Sequence, residues 1–212
     1  MLPKSSVGVS ANFIKRLPKY YNVLISLKEK GNTSITSTEL ADLLGLNTEQ
    51  VKKDIQIVSS ETGKPKNGRD INILIKDIAT YLGYNNISDA VIIGVGSLGS
   101  AFLKYDGFSK LGLNILAGFD VDPNKIDTQI NGKIIFSVDK LETLIPRLNV
   151  HIAILTIPGQ YAEELVPILI KAGIKGIWNF THEHLSVPDD VVVENIDLAS
   201  SLAVLSHKLK IQ

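Results

Sequence analysis

The chain has no cysteine among its 212 residues. That excludes a disulfide framework, a thiolate-ligated zinc or iron–sulfur centre, and a cysteine nucleophile. It also lacks any run of about 18 apolar residues, so no membrane span is expected. Its first 13 residues contain no apolar leader core, so no signal peptide is expected and the cytoplasm is the default compartment. Net charge is absent as well: 22 Lys and Arg balance 22 Asp and Glu. With 44% hydrophobic and 21% charged residues, the chain is too apolar to be disordered, and its length allows one or two domains.

The zero charge conceals an asymmetry. Residues 1–83 hold twelve Lys and Arg against eight Asp and Glu, a net of +4, which leaves −4 for residues 84–212. A basic half joined to an acidic half suggests two tasks, with the basic half a candidate for a polyanion such as DNA.

The basic half reads as helical. Ser10 is placed to cap a helix with Phe13, Ile14, Leu17, Tyr20, Tyr21, Leu24 and Leu27 on one face, Pro18 should interrupt it, and Gly31-Asn32 should stop it. Thr36 with Glu39 fits a capping box for a helix burying Leu40, Ala41, Leu43 and Leu44 and ending at Gly45. Asn47 caps a third helix, with Val51, Ile55 and Val58 inward and Glu49, Lys52, Lys53 and Gln56 outward. Two short helices joined through a glycine, the second with a basic polar face, have the form of a helix-turn-helix. The turn-rich stretch 61–70 carries Lys64, Lys66 and Arg69, and Asn67-Gly68 suits a hairpin tip, so this stretch reads as a basic wing. One more helix follows, carrying Ile71, Leu74, Ile75, Ile78 and Leu82 and ending at Gly83. A winged helix using Lys52, Lys53, Gln56, Lys64, Lys66 and Arg69 on DNA is one reading; a helical bundle with a solvated lysine face is the other.

From Asp89 the pattern changes. Continuous apolar runs at 90–93, 113–119, 151–157, 174–180 and 191–193 alternate with helical stretches at 97–105, 138–148 and 161–172. This is the pattern of βαβ units in a Rossmann-like, doubly wound parallel sheet. A last amphipathic helix, 197–209, lines up Leu198, Leu202, Leu205 and Leu209 and must bury that stripe on its own domain or on a partner subunit. Gly94, Gly96, Ser97, Leu98 and Gly99 lie in a GxGxxG turn directly between the first strand and its helix. Gly94 permits the tight turn, Gly96 lets a pyrophosphate approach the backbone, and Gly99 lets helix and strand pack closely. The helix N-terminus offers free N–H groups to the phosphates. Asp120, 21 residues after Gly99, ends the next strand, where a carboxylate binds ribose hydroxyls and repels a 2′-phosphate. The expected cofactor is therefore NAD(H).

No catalytic apparatus is evident. His182 and His184 follow a strand on the ligand-binding edge, but neither a cysteine nor a third ligand accompanies them, so no metal is expected. Nothing marks an acid–base pair beside a nicotinamide, and no residues remain for a substrate domain.

The stretches Ile14–Tyr21, Ser37–Leu40, Gln50–Ile55, Gly94–Ala101, Tyr105–Phe108, Phe119–Pro123, Ile154–Pro158, Ala172–Ile177, Leu185–Pro188 and Glu194–Leu198 together resemble the Rex family of bacterial redox-sensing transcriptional repressors, over nearly the whole chain. The resemblance implies a winged-helix domain at 1–83, a Rossmann domain at 84–195 and a terminal helix at 196–212 exchanged within a homodimer. It implies that NADH releases the dimer from double-stranded operator DNA, and that NAD+ competes and permits binding. It adds Thr156 and Pro158 to the cofactor site, puts Tyr105 near the nicotinamide, and makes Asp197 the acid that the redox state repositions. The chain departs from the family pattern at Lys52, where arginine is common, in a wing segment over 56–70 one residue longer than usual, and at Asn22, where an arginine often faces the switch acid. The alternatives are a small NAD-dependent oxidoreductase and an NAD-binding paralogue with altered operator recognition.

Overall fold

The computed structural model describes residues 10–61, 68–86 and 88–211. They fall into two compact units, Met1–Asn86 and Ile87–Gln212.

The first unit contains α1 (Ala11–Glu29), β1 (Ser34–Ile35), α2 (Ser37–Leu44), α3 (Thr48–Val58), β2 (Arg69–Asp70) and α4 (Ile71–Leu82). Each helix starts on a side-chain cap. Ser10 accepts from the Phe13 N–H, Asn47 from those of Glu49 and Gln50, and Asp70 from those of Asn72 and Ile73. Thr36 and Glu39 form the expected reciprocal box, at 3.1 and 2.7 Å. Such caps satisfy donors that the first turn leaves without partners. Gly45 and Gly83 close α2 and α4 in the left-handed conformation. Leu17, Tyr20, Leu24, Leu40, Val51, Ile55, Ile71, Leu74 and Ile78 share one core.

Three local expectations are corrected. Pro18 does not interrupt α1, which runs unbroken through it; Leu17, Tyr20 and Leu24, all fully buried, hold both halves of the helix on one core. Leu43 is 58% exposed rather than part of the buried face of α2. Arg69 and Asp70 pair antiparallel with Ile35 and Ser34, so the two residues that lead into α4 are anchored on a strand that the sequence pattern did not reveal. A Cβ at Gly68 would lie against the Ile35 carbonyl, and φ there is +69°, so only glycine enters this pairing without strain. Lys64, Lys66 and Asn67 lie outside the described residues.

The second unit contains β3 (Ser88–Ile93), α5 (Ser97–Lys104), β4 (Leu113–Asp120), β5 (Gln129–Ile130), β6 (Lys133–Ser137), α6 (Leu141–Leu148), β7 (Ile152–Leu155), α7 (Ala162–Lys171), β8 (Gly176–Asn179), β9 (Val192–Asn195) and α8 (Leu198–Ile211). The sheet order is β5-β6-β4-β3-β7-β8-β9, parallel except for β5 on β6. Setting β5 aside, this is the 3-2-1-4-5-6 order of a dinucleotide-binding sheet. β3 alternates its side chains. Val91 and Ile93 enter a core with Leu141, Ile145, Val166 and Leu169 from α6 and α7; Ala90 and Ile92 enter another with Leu103 from α5. Both faces of the central strands are thus covered, which explains their uninterrupted apolar runs. The β5–β6 hairpin was not anticipated, although Asn131-Gly132, both at positive φ, is a standard tight-turn pair. Among the described residues no helix is long and apolar enough to cross a membrane.

Candidate functional site

The strand order reverses between the parallel neighbours β3 and β7, and ligands of such sheets bind in the crevice at this switch point. Two loops leave the sheet there. Gly94–Gly99 follows β3, and Thr156–Pro158 follows β7. Thr156 joins them, its hydroxyl donating to the Gly94 carbonyl at 2.6 Å. Gly94 sits at φ +90°, and a Cβ there would come within 2.6 Å of the Ile157 side chain. A Cβ at Gly99 would strike the Gly94 carbonyl oxygen. At Gly96, by contrast, a Cβ would meet no protein atom within 4 Å. The first and third glycines are thus required by the chain's own packing, whereas the second opens onto free space. Gly96 is the N-cap residue of α5 and supplies no side-chain cap, so the helix's first N–H groups and positive dipole end face that opening without a protein acceptor from a cap.

A cavity of about 500 Å³ extends from this turn, lined by Gly94, Gly96, Asp120, Lys125, Thr156 and Pro158 among others. A slightly larger cavity, about 600 Å³, lies beside Glu163, Glu183 and His184; the start of α7 there also has no side-chain cap, but its first turn carries Glu163 and Glu164, which repel an anion, so the smaller cavity is the better-built phosphate site. Asp120 is 6% exposed. Its carboxylate accepts from the Val95 N–H at 2.6 Å, the Asp122 N–H at 2.9 Å and the Lys125 ammonium at 3.3 Å. Burial raises its pKa, but these three donors outweigh that and hold it below the ordinary carboxylate value. The anion therefore persists in the cavity wall, and a carboxylate accepting three bonds keeps acceptor capacity for a further hydroxyl. Lys125 was missed from the sequence; its only signal was a lysine five residues beyond the acid.

Ser97, Leu98 and Gly99 form the first turn of α5. Tyr105 and Asp197 are not brought to this cavity within one chain. Tyr105 ends α5, is 56% exposed and packs edge-on against Phe108, beside a separate cavity of about 250 Å³. Asp197 is exposed and bonded to Ser200 through both the N–H and the hydroxyl. Those bonds, with a smaller contribution from His182, lower its pKa. Among the described residues no cluster of His, Asp or Glu is arranged to hold a metal.

In the first unit, α3 presents Lys52, Lys53 and Gln56 to solvent. Lys52 lies 3.7 Å from Glu49. Arg69 turns back, donating to the Ser59 hydroxyl and to the Glu61 carbonyl. Behind α3, Asp54 is 2% exposed and gathers four hydrogen bonds: two from Arg16 (2.6 and 2.9 Å), one from the Tyr20 hydroxyl (2.6 Å) and one from Gln50 (2.8 Å). Burial opposes its ionisation, but the donors prevail and its pKa is lowered; burial and the neighbouring carboxylate raise that of Tyr20. This network clamps α3 to α1. Sequence reading missed it because an aspartate one position before Ile55 looks like a surface residue.

A family model described as a CoA binding domain matches residues 85–183, and one described as a putative DNA-binding protein N-terminus matches residues 8–56. The chain is 41% identical to the redox-sensing transcriptional repressor Rex of Treponema denticola, covering 92% of this chain and 93% of that one. It is 36% identical to the protein of the same name from Bacteroides fragilis, covering 97% and 93%. Among solved structures, RSP, a Rex-family repressor, in complex with NAD+ and operator DNA aligns with a TM-score of 0.88 at 34% identity, over 95% of this chain and 92% of that one. The same protein with NADH aligns at 0.87 and 34% identity, over 95% and 94%.

Proposed function

The chain belongs to the Rex family of redox-sensing transcriptional repressors, and from that premise we propose that it is a homodimeric repressor whose hold on double-stranded operator DNA is set by which form of NAD(H) occupies the cavity below Gly94–Gly99. It is a regulator, not an enzyme, and such a regulator works in the cytoplasm alongside DNA. The observation that carries this reading is the pairing, in one chain, of a capped helix-turn-helix with a glycine turn whose Gly96, at the start of the uncapped α5, leaves room for a phosphate to approach the backbone.

Gly96, Ser97, Leu98 and Gly99 would receive the pyrophosphate. Asp120, kept anionic, would accept from the adenosine ribose, and Thr156 and Pro158 would wall the path toward the nicotinamide. The coenzyme itself supplies the signal, because the nicotinamide ring is cationic in NAD+ and neutral in NADH. Tyr105 and Asp197, which lie outside the cavity of their own chain, suit a site completed across the dimer. The dimer reading is supported by α8, whose Leu202, Leu205 and Leu209 lie along one face and are each more than half exposed. Such a stripe is stable only when covered, and exchange of α8 between subunits covers it. Lys52, Lys53, Gln56, Lys64, Lys66 and Arg69 would supply contacts to DNA.

A ligand shifts a two-state equilibrium only by its difference in affinity for the two states. NADH must therefore bind the DNA-incompetent dimer more tightly, and operator DNA must weaken NADH binding by the same factor. Titrating NADH into the dimer with and without operator tests this; equal affinities eliminate redox gating.

A further inference from the structure

Glu49 is the one acidic side chain on the outward side of α3, two residues beyond the Asn47 cap. On a helix at about 100° per residue it lies opposite the buried line of Val51, Asp54 and Ile55. It stands among Lys52, Lys53 and Gln56, and its side chain is 70% exposed. An acid is costly on a surface that approaches phosphates, because it cancels one of the two lysine charges beside it. Its contact with Lys52, at 3.7 Å between two exposed groups, is of the kind that contributes little and opens readily. The N-terminal residues of a recognition helix are those that meet base edges in the major groove. There a carboxylate's best partner is the cytosine N4 amino group; at adenine the N6 donor sits beside the N7 acceptor, and at guanine the negative charge faces two acceptors.

We propose that Glu49 is a specificity-determining residue of the operator contact, accepting from a cytosine N4 in each half-site, with Lys52 released from it to a neighbouring acceptor. The proposal rests on the reading of this chain as an operator-binding dimer. Glu49 lowers general attraction to DNA and raises discrimination, because a wrong base leaves a desolvated carboxylate against an acceptor.

The test is selection from a random double-stranded pool by the full-length protein with NAD+ present, in three forms: wild type, Glu49→Ala and Glu49→Gln. Circular dichroism checks that all three are folded. The wild type should enrich a cytosine at one position of each half-site, with a preference on the order of tenfold. Glu49→Ala should flatten that position to within about twofold and leave the others intact. Glu49→Gln should turn the preference toward adenine, whose N6 and N7 match a carboxamide. If the Ala variant keeps the wild-type motif, or binds every sequence more tightly by one common factor, Glu49 only supports the helix or damps its charge, and the proposal fails. If the wild type enriches no motif, the operator reading itself fails, and the proposal with it.

Discussion

Removing the carboxylate of Asp54 should unfasten α3 while leaving the nucleotide unit intact. In Asp54→Ala the fully buried Tyr20 hydroxyl loses its acceptor, and Arg16, whose side chain is 19% exposed, loses both bonds of its fork. A buried hydroxyl without a partner costs about 1–3 kcal/mol. Breaking one side of a largely buried ion pair costs about 3–5 kcal/mol in all, because a charge is left without compensation. Stability scaled by residue count gives a unit the size of Met1–Asn86 about 4–13 kcal/mol. The substitution therefore removes roughly a quarter of that stability or more. With a urea slope of about 2 kcal/mol per molar, the midpoint of the first unit should fall by roughly 1.5–2.5 M. The protein carries its own control: Trp178, the single tryptophan, lies in β8 of the second unit. Helical circular dichroism should be lost early in the variant, while Trp178 fluorescence changes at the wild-type midpoint. DNA binding should disappear, and NADH affinity should stay within about twofold. Replacing the set by apolar groups of similar shape (Arg16→Met, Tyr20→Phe, Asp54→Leu) should recover much of the loss, since no desolvated partner remains. A single transition at the wild-type midpoint in Asp54→Ala would refute the reasoning.

Other outcomes follow from the same physics. Gly99→Ala puts a methyl on the Gly94 carbonyl; it should lower the melting temperature read at Trp178 and abolish NAD(H) uptake in calorimetry, and wild-type affinity would mean the turn is not the cradle. Asp120→Asn should weaken NADH binding by about 10- to 100-fold, the value of a charge-assisted hydrogen bond, and should narrow the gap between NADH and NADPH; an unchanged ratio would detach Asp120 from the ribose. Because the folded-state pKa of Asp54 is depressed, its stabilisation is fully present above the unfolded value of about 3.9 and is lost as pH falls through the lower folded value. Wild type and Asp54→Asn should therefore differ by a constant amount from pH 5 to 8 and converge in acid; urea midpoints across pH check this. Gel shifts in rising salt should show affinity falling linearly on logarithmic axes, and a flat response would argue against phosphate contact by the lysines.

The sequence by itself determined whatever depends on neighbours within a few positions. Caps at Ser10, Thr36 and Asn47 each satisfy donors no more than three residues away. The apolar runs announced the strands, and the glycine turn with Asp120 announced the nucleotide site, because a phosphate-binding turn needs its small residues consecutively. Thr156 and Pro158 were legible only through family resemblance, since their place beside Gly94 depends on β7 lying next to β3. Tertiary structure alone decided the rest. It carried α1 through Pro18, left Leu43 in solvent, paired Arg69 with Ile35 and set Lys125 on Asp120. It also joined Arg16 to Asp54 across 38 positions and made that aspartate the clamp behind α3. The physical reason is that burial and long-range pairing reverse a residue's local preference: an aspartate is a surface residue until Arg16, Tyr20 and Gln50 meet it in the core, and then its removal costs about as much as that of a large apolar neighbour.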